Sequence, residues 1–98
     1  MQARPDNLLI AAGSQNALAV SLISLFKAGD KIAVDPYTYP NFIGLASFLH
    51  IQLVAVEGDE DGMKPQALDT LCRQSGISGV YLMPSCSNPM GIVMPMER

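Results

Sequence analysis

The sequence is poor in charge, and the charges it has are not arranged for binding nucleic acid. Charged residues make up 15% of the 98 residues, and the net charge is −3 at pH 7. The six lysines and arginines are scattered along the chain, whereas phosphate binding requires them to be clustered. The composition therefore argues against a surface that binds DNA or RNA.

Long apolar runs are also missing. The longest candidate, residues 17–26, is interrupted by Ser21 and Ser24 and is shorter than the roughly 18 apolar residues of a membrane span. The N-terminal residues MQARPDN lack the apolar core of a signal peptide. We therefore expect no membrane segment.

Cysteine is scarce. Cys72 and Cys86 are the only two, and they lie far apart with no Cys-x-x-Cys spacing, which favours reduced thiols in a cytoplasmic protein over a disulfide framework. Hydrophobic residues make up 49% of the chain, which excludes intrinsic disorder. A chain of this length forms one domain at most.

Four short apolar stretches predict buried strands, at residues 7–12, 31–35, 51–56 and 79–83. Three stretches with helical periodicity lie between them. Ser14 is expected to cap the first and Gly29 to end it, Pro40 to begin the second, and residues 65–74 to form the third before Gly76. The predicted inward faces are Leu18, Leu22, Leu25 and Phe26; Phe42, Leu45, Ala46 and Leu49; and Leu68, Leu71 and Cys72. Strands that alternate with helices indicate an α/β fold with a mostly parallel sheet.

The first candidate site is the turn Gly13-Ser14-Gln15, between the first strand and the first helix. Backbone N–H groups at a helix N-terminus favour an anion, and Ser14 and Gln15 add a hydroxyl and an amide. Glycine at position 13 permits a close backbone approach. An ordinary helix cap explains the same residues, so both interpretations stay open.

Two further loops follow predicted strands. The loop at residues 35–40 places Tyr39 between two prolines, where its ring could stack on a flat ligand or simply cover the end of the sheet. The loop after residue 83 carries Asn88, an amide held in extended backbone by the following proline. A plain turn is the alternative for Asn88.

Other polar residues carry weaker signals. The acidic stretch at residues 57–64 lacks the oxygen spacing of a calcium loop, so a solvated turn is the preferred interpretation. His50 has no partner that would indicate catalysis, and nothing near Cys86 in the sequence would lower the pKa of its thiol. The six methionines are interpreted as core filler.

Taken together, GSQNAL, DPYTYPNF and SNPMG resemble the large-domain motifs of fold type I, class I/II aminotransferases, which use pyridoxal 5'-phosphate (PLP). The resemblance implies a three-layer α/β/α domain, with residues 1–98 as part of its PLP-binding large domain. It also implies a cis peptide bond before Pro36, before Pro89 or before both. Gly13, Ser14 and Gln15 would bind the cofactor phosphate, Tyr39 would stack on the pyridine ring, and Asn88 would hydrogen-bond the phenolic oxygen.

The stretches DEDGMKPQAL and YLMPSCSNPMGIVMPMER are more similar to the aminotransferase-like domain of MocR-type regulators in the GntR family. Those proteins join this domain to a separate N-terminal winged helix-turn-helix, which would make any DNA contacts. The family's Schiff-base lysine has no match among Lys27, Lys31 and Lys64, so no catalytic residue is expected here. We therefore expect a fragment of a longer protein that is inactive alone.

Two main functions stay open on this basis. The parent is either the PLP-binding effector domain of a transcription regulator or a stand-alone enzyme that transfers amino groups between an amino acid and a 2-oxo acid. A doubly wound domain for another phosphate ligand is a further alternative. An amino acid or amine ligand and a homodimeric parent are expected from the resemblance.

Overall fold

A computed structural model describes residues 3–98 and shows a parallel sheet between two layers of helices. The strands of the sheet are β1 (Lys31–Val34), β2 (Gln52–Ala55) and β5 (Gly79–Val80), and a hairpin is formed by β3 (Gly58–Asp59) and β4 (Gly62–Met63). The helices are α1 (Ser14–Leu25), α2 (Pro40–Phe48) and α3 (Pro65–Ser75). The order in the sheet is β2-β1-β5, and β1 is parallel to both neighbours.

Side chains that alternate along β1 create the two faces of the core. Ile32 and Val34 point to one face, where they form a buried cluster with residues of α1 and α2. Ala33 points to the other face and packs with Val56 and Met63 under α3. This period of two is what a pleated strand imposes. The predicted three-layer α/β/α architecture is therefore confirmed.

The helix boundaries follow from proline and glycine. Pro40 and Pro65 each occupy the first turn of a helix, where the missing N–H costs nothing. Gly76 ends α3 in the left-handed conformation with φ 59°, as predicted.

Ser14 is the first residue of α1 and its cap is Gly13, so the prediction that Ser14 caps the helix was wrong. Helix α1 ends at Leu25, several residues before the predicted stop at Gly29.

The predicted strand at residues 7–12 was wrong. Pro5–Asn7 form a single 3-10 turn, and the residues after it are exposed, with Ile10 97% accessible. No strand of the described residues pairs with this segment. An apolar stretch forms a strand only where a neighbour accepts its backbone hydrogen bonds, and here none is in place.

Other predictions need smaller corrections. The last strand covers only Gly79–Val80 of the predicted 79–83, although the Tyr81 N–H still donates to the Ala33 carbonyl. Leu25 and Cys72 were predicted to point inward, but both are exposed.

Asn88–Pro89 is the one cis peptide bond within residues 3–98, which agrees with one of the two expected positions. No helix of residues 3–98 is long and apolar enough to cross a bilayer.

The acidic stretch forms a hairpin around an exposed turn. Arg98 pairs with Asp59 and approaches Asp61 at 3.7 Å, and Lys64 pairs with Glu57. Within residues 3–98, no group of three or more His, Cys, Asp or Glu side chains could hold a metal ion. The hairpin is therefore bridged by ion pairs at the protein surface.

Candidate functional site

A cleft of about 510 Å³ opens beside the N-terminus of α1, where strands β1 and β5 end. Its walls come from three parts of the chain that are distant in sequence. The first two turns of α1 contribute Ser14, Ala17, Leu18 and Ser21. The loop after β1 contributes Tyr39, and the segment after β5 contributes Tyr81 and Met83. Ligands of open α/β sheets bind at this edge.

The N-terminus of α1 supplies the donors of the cleft. Gly13 caps the helix at φ 92° without a side-chain bond, and its carbonyl accepts the first helical bond from Ala17 at 3.0 Å. The Asn16 side chain turns back to accept from the Ala12 N–H at 3.0 Å. The N–H groups of Ser14 and Gln15 have no partner inside the helix. They carry the partial positive charge of the helix end toward any anion placed there.

Glycine at position 13 leaves room at this helix end. A Cβ built on Gly13 would have no heavy atom within 4 Å, and the φ of 92° is unfavourable for other residues. A group as large as a phosphate could therefore approach the backbone here. Gln15 is exposed and does not line the cleft.

Aromatic rings form the other wall. Tyr39 is half-buried because it is the residue that precedes Pro40 and caps α2. Its hydroxyl accepts a 2.9 Å hydrogen bond from the Asn41 amide, which restricts the ring. Behind it, Tyr81 stacks on Phe42 with ring centroids 3.8 Å apart and planes 10° from parallel. Burial, with a smaller contribution from Tyr39, raises the pKa of Tyr81, so the phenol stays neutral.

The loop with Asn88 is held by hydrogen bonds between its two ends. The Ser87 N–H donates to the Ile92 carbonyl at 2.9 Å, and the Ile92 N–H donates in return to the Ser87 hydroxyl at 2.9 Å. Asn88 itself is exposed and is not among the residues that line the cleft. The structure thus brings Ser14 and Tyr39 together, next to Gly13, and leaves Asn88 and Gln15 outside this wall.

Sequence reasoning missed two residues of the cleft. Tyr81 and Met83 line it, but they were assigned to a buried strand. In the structure Val80 and Leu82 are more exposed than Tyr81 and Met83. All four residues are apolar or aromatic, so the sequence has no alternation that would distinguish the two that line the cleft.

The chemistry of these walls fits a flat aromatic ring that carries a phosphate. The helix end and the Ser14 hydroxyl offer hydrogen-bond donors to an anion. Tyr39, Leu18 and Met83 offer apolar surface in the same cleft. Both kinds of surface face one cleft. A purely apolar ligand would leave the N–H groups at the helix end without partners.

The whole chain, residues 1–98, matches the family model of aminotransferases of class I and II. It belongs to this family. Among its curated relatives, the uncharacterized HTH-type transcriptional regulator YdeF of Bacillus subtilis is 42% identical over 95% of the chain and 20% of the relative. An aromatic amino acid aminotransferase of Dictyostelium discoideum is 34% identical over 94% of the chain and 21% of the relative. The chain thus spans about a fifth of the length of these relatives.

Solved structures agree with the family and the fold. An archaeal alanine:glyoxylate aminotransferase superposes with a TM-score of 0.89 at 28% identity, covering 100% of this chain and 25% of that one. The α-aminoadipate aminotransferase LysN of Thermus thermophilus gives 0.87 at 26% identity, over 96% and 24%. That structure contains a phosphopyridoxyl-leucine compound. The predicted resemblance to aminotransferases and to helix-turn-helix regulators is confirmed.

Proposed function

We propose that this chain forms part of the PLP-binding large domain of an aminotransferase-like protein, and that this protein is a transcription regulator of the MocR type. The observation that carries the cofactor assignment is the single cleft shared by the N-terminus of α1 and the Tyr39 ring. PLP needs hydrogen-bond donors for its phosphate and a stacking surface for its ring. The N-terminus of α1 offers the donors, and the loop after β1 offers the stacking surface.

Each residue has a defined part in this proposal. The N–H groups of Ser14 and Gln15 and the Ser14 hydroxyl would hold the phosphate, with Gly13 leaving space for it. Tyr39 would stack on the pyridine ring. Asn88, which is exposed after β5 and does not line the cleft, would donate to the phenolic oxygen. When bound, PLP supplies an electron sink for reactions of amino compounds.

The regulator is favoured over a stand-alone enzyme by a specific observation. The helix-turn-helix regulator of Bacillus subtilis has 42% identity to the chain, against 34% for the aromatic amino acid aminotransferase. An amino acid or amine would be the effector, and a homodimer the assembly. The second candidate, an aminotransferase acting on an amino acid and a 2-oxo acid, is kept because aminotransferases match over the same part of the chain.

Cofactor binding is tested by titrating the intact protein with inorganic phosphate and with PLP while following the backbone amide signals of Ser14 and Gln15. We expect both signals to move with each ligand. Gly13→Ala should weaken phosphate binding about tenfold, or about 1.4 kcal/mol, because its Cβ would occupy the space left for the phosphate and the φ of 92° is unfavourable for alanine. Gly76→Ala is the matched control, since Gly76 also has a positive φ and open space around it but lies at the end of α3. Equal losses in both variants would contradict the assignment.

The choice between regulator and enzyme is tested on the full-length reading frame. A regulator carries a basic, helix-rich domain of about 80 residues or more before this one, and its binding to DNA should change when PLP or an amine is added. Amino-group transfer by the intact protein, without such a domain, would decide for the enzyme.

A further inference from the structure

A second cavity, of about 240 Å³, lies beside the candidate cofactor cleft. It is bounded by the loop after β1, by the β3–β4 hairpin and by the segment after β5. Met83 is the one residue that it shares with the cleft. The two spaces therefore have different walls and different chemistry.

Most of the wall of this cavity is apolar and adaptable. Three methionines, Met83, Met90 and Met94, contribute to it together with Ile92. Met94 reaches across to the hairpin, where its Cε would lie 3.0 Å from a Cβ built on Gly62. Unbranched thioether side chains adjust to apolar ligands of different shape. The wall thus suits a flexible hydrocarbon chain better than a rigid or polar one.

Among the polar side chains of the wall, one carboxylate has no partner in the part of the chain that the structure describes. The Ser87 hydroxyl already accepts from the Ile92 N–H, and Asp59 is paired with Arg98. No hydrogen bond or ion pair of residues 3–98 satisfies the Asp35 carboxylate, which is half-buried at the end of β1. Tyr37 stands beside it, and its ring face favours a cation. A carboxylate entering this space would lie near the carboxylate of Asp35, which is unpaired within the described residues.

The geometry points to a binding site for a linear aliphatic primary ammonium ion, whose charge pairs with Asp35 and whose hydrocarbon chain lies among Met83, Met90 and Met94. An amine without a carboxylate is favoured over an amino acid, whose carboxylate would be repelled by Asp35. The site shares Met83 with the proposed PLP cleft, but its charged residue, Asp35, and its other two methionines do not line that cleft. Its ligand class is a monoamine with an apolar tail.

The test uses n-pentylammonium chloride as the probe, with the intact protein carrying ¹³C-methyl methionine. A fragment of this size is expected to bind in about the millimolar range. The methyl signals of Met83, Met90 and Met94 should move with one saturation curve. Met63, which is buried against α3, and Met96, which is fully exposed, are internal controls whose signals should stay unchanged.

Two comparisons isolate the charge. Asp35→Asn should weaken pentylammonium binding about tenfold, equivalent to about 1.4 kcal/mol. Glu60 is an exposed carboxylate of the β3–β4 hairpin, so the control variant Glu60→Gln should bind as the wild type does. n-Pentanol, which has the same tail without the charge, should bind the wild type about tenfold more weakly by the same measure.

The site assignment is overturned if the three methionine signals fail to saturate, if Asp35→Asn binds as tightly as the wild type, or if pentanol and pentylammonium bind equally. Should Asp35→Asn not fold, the comparison of the two probes on the wild type decides alone. Failure of the proposed PLP function appears separately, at the amide signals of Ser14 and Gln15.

Discussion

Arg98 and Asp59, which are 39 residues apart, form a two-pronged ion pair, with the Arg98 Nη1 and Nη2 atoms 2.9 and 3.0 Å from the two carboxylate oxygens. Nη1 also donates to the Gly62 and Met63 carbonyls at 3.2 Å. One guanidinium therefore connects the end of the chain to both strands of the β3–β4 hairpin.

This pair should give stability that depends on pH in acid. The hydrogen bond from Arg98 holds the pKa of Asp59 below its ordinary 3.8. A carboxylate whose pKa is lowered by folding contributes stability above 3.8, and loses it as pH falls through the folded-state pKa. Arg98→Met should therefore be less stable than the wild type at neutral pH, and the difference should shrink in strong acid to what the Arg98 bonds to the Gly62 and Met63 carbonyls contribute.

Urea unfolding of wild type and Arg98→Met between neutral pH and strong acid measures this difference. Arg73→Met is the control, because Arg73 pairs with Asp69 on the exposed surface of α3 and such pairs contribute little. A difference between wild type and Arg98→Met that stays constant down to strong acid would contradict the linkage.

Asp35 should show the opposite dependence on pH. Burial raises the pKa of its carboxyl above 3.8, so ionisation is less favourable in the folded state. Stability is then lost as pH rises from 3.8 through the folded-state pKa. Asp35→Asn removes this loss, and the stability of the variant relative to wild type should increase across that window. A relative stability that is flat with pH, measured by thermal unfolding, would show that the carboxyl is not desolvated.

Phe42 is the largest fully buried side chain among the described residues, at 1% accessible. Phe42→Ala should lower the free energy of unfolding by about 3–5 kcal/mol because it removes contacts and leaves a cavity under Tyr81. Phe48 lies on the same helix but is 80% exposed, so Phe48→Ala should change stability by no more than about 0.5 kcal/mol. Chemical denaturation of the two variants provides the comparison, and similar losses would contradict the packing.

Gly79 is required for close packing between β5 and the end of α1. A Cβ at this position would lie 2.6 Å from the Phe26 Cζ atom, so Gly79→Ala should cost about 1–3 kcal/mol. Gly44 lies inside α2 with nothing near its Cβ position, and Gly44→Ala should stabilise the protein by about 0.5–1 kcal/mol. Adding Phe26→Leu to Gly79→Ala should recover part of the loss. Equal effects of the two alanine substitutions would argue against the contact.

The layers of the fold could be predicted from local patterns, but the same patterns also predicted a strand at residues 7–12 that does not form. Residues 31–35 and 51–56 are short apolar stretches between helical patterns, as expected for a sheet between helices, and both strands were predicted with ends within one residue. Residues 7–12 look equally apolar, yet they are exposed and unpaired within the described part of the chain. Hydrophobicity predicts a need for burial, and it contains no information on whether a neighbouring strand is present.

The candidate site was predicted in part for a similar reason. Ser14 and Tyr39 were expected to meet because loops at the carboxyl ends of parallel strands share one edge, and they line one cleft. The contribution of Tyr81 depends on its stack with Phe42, and the Arg98 pair joins residues 39 positions apart. Neither relationship has a local signature, so only the folded coordinates reveal them.

The twenty residues from Asn7 to Phe26 contain no charged side chain, and Leu9, Ile10, Ile23 and Leu25 among them are exposed. Hydration of such a surface becomes less favourable on warming, because hydrophobic association weakens in the cold. Screening by salt has no charges to act on here. A solution of this 98-residue chain should therefore stay clear longest near the freezing point and become turbid on gentle heating, well below the temperature at which the helices melt.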